Sequence, residues 1–143
     1  MRFLALFVLL IVAVMAYVRF APTNTAKWHI LPNADGPGDV SEDGGFIAVR
    51  RITVPGTEAL SALEQRALAT PRTRVIAGNV AEGMLTFQTR SLVMGFPDHT
   101  TVGIKDGLLI IHGRLRFGRS DLGVNRARIA GWLETLGPLT EPL

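Results

Sequence analysis

The chain has 143 residues, 48% of them hydrophobic, with fifteen Lys and Arg against twelve Asp and Glu and a formal charge of +3. That length holds one domain with one core and leaves no room for a second. Arg2 and Arg19 flank an apolar start, and without them thirteen basic side chains face twelve acidic ones; so balanced a remainder excludes a generally polycationic nucleic-acid binder, and the lack of cysteine excludes disulfides, Cys-based zinc sites and thiol chemistry.

From Phe3 to Val18 every residue is apolar or Tyr, sixteen in a row. As a helix they reach about 24 Å at 1.5 Å per residue, a little short of a hydrocarbon core of roughly 30 Å, and snorkelling flanks close that gap. Residues 1–20 are therefore expected to form a transmembrane anchor touching membrane lipid through residues 3–18. The rivals are a signal segment, for which Val14 and Ala16 offer a small-residue pair before Tyr17, and a buried helix of a soluble fold. The length of the run and its abrupt end at Arg19 favour a retained anchor. Basic residues nearly balance across it, and the expected placement is N-terminus in, with the domain on the extracytoplasmic side of a bacterial inner membrane.

Residues 21–45, with Pro22, Pro32, Pro37, Gly36 and Gly38 among polar residues, read as a linker wrapping the domain surface, pinned in part by Trp28 and Ile30. The domain is expected over 46–138. Phe46 to Val54 reads as a strand stopped by Pro55-Gly56; Thr57 then caps a helix whose buried stripe is Leu60, Leu63, Ala67 and Leu68 and which Pro71 ends. Three or four strands follow, Arg74 to Ala77, Met84 to Met94, His99 to Lys105 and Leu108 to Phe117, with Asp106-Gly107 as a hairpin turn. A last helix starts at Ser120 or Asp121 and stops at Gly137-Pro138, with Ile129, Trp132, Leu133 and Leu136 on one face. The expected fold class is α+β: a mostly antiparallel sheet of four to five strands packed on two helices, in the order β-α-β-β-β-β-α, behind one N-terminal transmembrane helix.

Trp28-His29, Gly95-Phe96-Pro97-Asp98 and above all the stretch Gly118-Arg119-Ser120-Asp121-Leu122-Gly123-Val124-Asn125-Arg126-Ala127-Arg128-Ile129 resemble the bacterial and plastid family known as domain of unknown function 1499. The similarity runs from about residue 26 to 137. The resemblance implies an exported or membrane-anchored protein and no particular activity. Two departures stand out: the chain lacks the cysteines found near the start of many members, and Ile111-His112-Gly113 replaces a serine-rich strand.

Ser120 lies in a segment close to a hydrolase elbow, one residue out of register, and no histidine follows His112. Arg119, Ser120, Asp121 and Asn125 read instead as a structural helix start, with Ser120 or Asp121 as cap. If Asp106-Gly107 is a two-residue turn, His112 faces Thr101 and His99 faces Arg114, which makes the two histidines diagonal neighbours on one face. With no third ligand in reach they are expected to be solvated rather than metal-bound. The same pairing sends Lys105, His112, Arg114 and Arg116 outward. Continuing it through Gly95 to Asp98, with Arg90 beside Gly103, adds Gln88 and Arg90 to that face and no carboxylate. Arg90, Lys105, Arg114 and Arg116 are thus candidates for holding phosphate or carboxylate on an open sheet face.

These observations lead to the expectation of a non-enzymatic, membrane-anchored envelope protein without a cofactor. It would contact an anionic lipid or polymer, or dock onto a membrane protein partner, and would not bind nucleic acid. One alternative is a carrier of a small apolar lipid in a cavity lined by Phe87, Ile104, Ile111 and Trp132; another is a hydrolase using Ser120.

Overall fold

The computed structural model describes all 143 residues. Helix α1 (Arg2–Phe20) is followed by a single helical turn, α2 (Thr25–Trp28), then β1 (Gly38–Glu42), β2 (Gly45–Arg51), α3 (Gly56–Leu68), β3 (Thr73–Asn79), β4 (Met84–Arg90), β5 (Pro97–Lys105), β6 (Leu108–Leu115) and α4 (Val124–Leu136). The strands form one antiparallel sheet in the order β1-β2-β6-β5-β4-β3. The α+β class and the long apolar first helix are as anticipated, but the sheet has six strands. The extra strand, β1, lies within the stretch read as linker; its exposed, polar Asp39, Ser41 and Glu42 carry no apolar alternation, and it forms by pairing with β2.

Helix α1 has a mean hydropathy of 2.6 over an 18-residue window and is almost wholly exposed, which makes it long and apolar enough to be a membrane anchor or a signal peptide. Val18 is its one buried residue. Both α3 and α4 cover the same sheet face, as the β-α-β run with two amphipathic helices implies. Between them and the sheet lies the core of Phe46, Ala48, Leu85, Phe87, Val102, Leu109 and Ile111 against Leu60, Leu63, Ala67, Ile129, Trp132 and Leu136. Burying Ile129, Trp132 and Leu136 contributes roughly 5 to 9 kcal/mol gross, against about 1 kcal/mol lost by placing Gly131 mid-helix, so packing fixes α4 despite its weak propensity. Leu68, placed in the buried stripe by periodicity, is exposed, and Ala59 is buried in its stead. Gly113 lets α4 approach: a Cβ there would stand 2.8 Å from Asn125 Oδ1 and 3.0 Å from Ile129 Cδ1.

The β5–β6 hairpin turns at Asp106 (φ 52°) and Gly107 (φ 74°), both left-handed as a two-residue hairpin requires, and sets His99 opposite Arg114 and Thr101 opposite His112. The β4–β5 register differs from the expected one. Strand β4 ends at Arg90, not Met94, and Arg90 faces Pro97 instead of Gly103. The loop Ser91–Phe96 closes on itself, with Ser91 N donating to Phe96 O and Phe96 N to Ser91 Oγ. The slip amounts to six residues, an even number, so every side chain keeps its predicted face.

Candidate functional site

The sheet face away from the helices is not open. After α1 the chain crosses it as a strap, residues 21–34, before entering β1. Trp28 stacks on His99 with ring centroids 4.3 Å apart, and its carbonyl accepts from Thr101 Oγ1 at 2.6 Å and from Arg114 Nη2. His29 Nδ1 meets Thr86 Oγ1 at 2.8 Å. Beyond them, Leu31 and Ala34 pack on a second apolar cluster of Val49, Leu108 and Ile110.

The strap changes the role of the predicted arginines. Arg114 bonds the Trp28 carbonyl and Thr101 Oγ1 and lies 5.1 Å over the Trp28 ring. Arg116 donates to Pro22 O at 2.8 Å, to Thr23 Oγ1 at 3.0 Å and to Ala21 O at 3.3 Å. Both guanidinium groups therefore clamp this chain's own backbone. Lys105 is exposed at the far end of β5, about 26 Å along the strand from Pro97 at ~3.3 Å per residue, and so does not join the others. The four expected residues do not form one open patch.

The two histidines are neighbours as the pairing requires, yet neither is solvated. His99 is fully buried beneath Trp28, with Nε2 3.3 Å from Gln88 Nε2. Burial, reinforced by Arg116, Arg114 and Arg90, pushes its pKa down to about 4, so the ring is neutral at neutral pH. His112 is buried too, and its Nε2 meets Glu42 Oε2 at 2.7 Å. Burial lowers its pKa, with the Glu42 hydrogen bond opposing the shift. Glu42 belongs to β1, so the face expected to lack a carboxylate acquires one from the unforeseen strand.

Arg90 has a different setting. It lines a cleft of ≈ 530 Å³ at the root of α1 together with Arg19, Arg72 and Arg74, between the end of the apolar helix and the adjoining ends of β3 and β4. Phe20 and Leu92 are its two apolar walls, and no Asp or Glu lines it. Local bonds hold its geometry: Arg90 Nη1 donates to Gly95 O at 2.8 Å, Arg72 Nε to Arg90 O at 3.0 Å and Arg74 Nη2 to Gln88 Oε1 at 3.2 Å. Burial lowers the Arg90 pKa first, and Arg74, Arg19 and Arg116 add to the shift. Four guanidinium groups thus line one cleft without a counterion from the chain. Sequence reasoning found Arg90 alone. Pairing β3 with β4 sets Arg74 beside Gln88 and identifies it as well, whereas Arg19 reads in sequence as a helix flank and Arg72 lies in a loop at φ 58°.

The stretch 118–129 is a structural turn and helix start. Helix α4 begins at Val124, three or four residues later than expected, because Leu122 (φ 53°) and Gly123 (φ 80°) form a left-handed turn first. Asp121 organises it: Oδ1 accepts from Gly123 N at 3.0 Å and Oδ2 from Asn125 N at 2.8 Å. Burial alone would raise the Asp121 pKa, but the N–H bonds from Asn125 and Gly123 outweigh it and hold the carboxyl below its ordinary value. Ser120 Oγ accepts from Leu122 N at 3.3 Å, and all three histidines have partners elsewhere. Arg119 is exposed and forms no ion pair with Asp121. Buried Asn125 accepts from Arg128 Nη1 at 2.9 Å, and Arg128 reaches Asp98 at 3.2 Å, tying α4 to β5. As for the carrier alternative, Phe87, Ile111 and Trp132 are buried in the core, the two rings meeting edge to face at 5.9 Å, and Ile104 packs at its margin.

No curated protein matches the chain. Among solved structures, a DUF4468 family protein from Bacteroides ovatus ATCC 8483 is similar at 10% identity and a TM-score of 0.38, covering 85% of this chain and all of that one, a likeness too distant to bear on function. The family model described as protein of unknown function (DUF1499) matches residues 31–136, from the end of the strap through α4. With β1 to α4 inside that match, the chain belongs to the DUF1499 family.

Proposed function

We propose that this protein is a retained, membrane-anchored, non-enzymatic binding domain, and that the arginine cleft at the root of α1 holds an anionic group, phosphate or carboxylate, presented at the membrane surface. The observation that carries the reading is the convergence of Arg19, Arg72, Arg74 and Arg90 with no carboxylate among the lining residues. Their mutual repulsion is relieved when an anion enters, and planar guanidinium groups bind phosphate through paired, charge-assisted hydrogen bonds. Retention of α1 is supported by contacts on both sides of Arg19: Tyr17 packs on Phe117 at 6.3 Å, Val18 is buried, and Arg116 grips residues 21–23. The placement we favour is a bacterial inner membrane with the domain on the extracytoplasmic side. Acidic lipid headgroups and wall or capsule polymers both carry the required chemistry.

Full-length protein is reconstituted in nanodiscs of phosphatidylcholine mixed with phosphatidylglycerol and released into native mass spectrometry. The anionic lipid should be retained preferentially by the wild type and lost by Arg72→Glu with Arg74→Glu, while Arg114→Ala retains it. Equal retention of both lipids by all three proteins would overturn the reading.

A further inference from the structure

We propose that two apolar turns beside α1, the loop Ser91–Phe96 and the turn carrying Leu122, insert into the interfacial layer of the bilayer that α1 crosses, so that the domain lies flat against its own membrane. This rests on the retained-anchor reading, though not on the nature of the anion. Leu92, Val93 and Leu122 are 75%, 77% and 93% exposed, and Phe20, at the end of α1, is 79% exposed. Scattered exposed leucines need no explanation, but several at one end of a domain, rimmed by arginines, form an interaction patch.

Three features make lipid the occupant. First, the patch is continuous with the apolar helix: Phe20 and Leu92 wall the same cleft, and an aromatic chain runs from Tyr17 to Phe117 at 6.3 Å and on to Phe96 at 6.5 Å. Ser91 and Phe96 share a groove with Ser120, Asp121 and Val124, which brings the two turns side by side. Second, the depth is fixed. With Arg19 at headgroup level, Tyr17 lies two residues, about 3 Å, nearer the bilayer centre, so the ring that touches it, Phe117, sits at the headgroup boundary where aromatic side chains concentrate. Third, the composition fits: Phe20 and Leu92, flanked by Arg19, Arg72, Arg74 and Arg90, match an apolar layer beneath phosphates.

Leu122 is the least ordinary of these residues. A leucine at φ 53° is strained, and an exposed one gains nothing from water. Asp121 and Ser120 hold the turn around it through three hydrogen bonds to backbone N–H groups, so the tip is presented already ordered. Loop 91–96 is likewise closed by the Ser91–Phe96 pair, and neither turn must be ordered at the moment of insertion.

The chain has no cysteine, so single cysteines can be introduced for labelling. Leu92→Cys, Val93→Cys, Leu122→Cys and, at the far end of β5, Lys105→Cys are each labelled with an environment-sensitive fluorophore in the full-length chain. Reconstitution uses nanodiscs of phosphatidylcholine alone, where failure of the anion reading has no influence. Labels at 92, 93 and 122 should emit to the blue, be quenched by spin-labelled lipid and show several-fold weaker iodide quenching than the label at 105. If all four labels respond to iodide alike and none to spin-labelled lipid, with circular dichroism unchanged from wild type, the proposal is wrong.

Discussion

Acidification should loosen the strap through His99. The imidazole is fully buried under Trp28, and the groups facing it are Arg90 on β4, Arg114 on β6 and Arg116 just after β6, all cationic, with the Gln88 amide as its hydrogen-bonding neighbour. No carboxylate is placed to receive an imidazolium: Asp98 engages Arg128 on the opposite face, and Glu42 engages His112. The folded-state pKa of about 4 lies below the 6.5 of an unperturbed histidine, so the unfolded chain takes up the proton first. Stability is therefore full above about pH 6.5, declines as the pH falls towards about 4, and levels off below it. At 1.36 kcal/mol per pH unit the decline amounts to about 3 kcal/mol, a large share of the roughly 5 to 15 kcal/mol that holds a domain together. Urea unfolding of the full-length protein, followed by circular dichroism across this range, measures it against His99→Phe, which keeps the stack on Trp28 and removes the titration. The wild type should lose about 3 kcal/mol more than the variant; parallel losses in the two proteins would refute the reasoning.

Four further outcomes follow from the contacts. Gly113→Ala drives a methyl group into Asn125 and Ile129, and should lower stability by about 1 to 3 kcal/mol in the same urea assay. Arg128→Met leaves the Asp98 carboxylate largely buried without its partner, at a cost of about 3 kcal/mol at neutral pH. Burial already raises the Asp98 pKa against the pull of Arg128, so the variant should recover part of that loss as the pH falls and the carboxyl takes up a proton. Asp121→Ala should cost about 1 to 2 kcal/mol, because it frees the N–H groups of Gly123 and Asn125. Ser120→Ala, with a single 3.3 Å bond at an exposed site, should stay within about 0.5 kcal/mol in thermal melts.

The candidate site was legible only by halves. Strand parity puts Gln88, Arg90, His99, His112, Arg114 and Arg116 on one sheet face, and this holds although the β4–β5 register differs from the expected one, because parity survives an even slip. What covers that face was not legible. Trp28 pins the strap as expected and Ile30, 56% exposed, does not, and nothing local in residues 21–34 reveals that Trp28 seals His99 or that Arg116 takes the Pro22 carbonyl, 94 residues away in the chain. Strand β1 escaped for a related reason: its side chains carry no alternation, and its existence depends on the free edge of β2.

Short-range rules were enough for whatever depends on neighbours in the chain: the apolar run of α1, the Asp106-Gly107 hairpin, the Ile129, Trp132 and Leu136 stripe of α4, and the α+β class. Tertiary structure alone decided which arginines are spent on the strap and which gather with Arg19 in the cleft. A guanidinium group looks the same in sequence whether it faces a backbone carbonyl, another cation or solvent, and only the path of the folded chain supplies that neighbour.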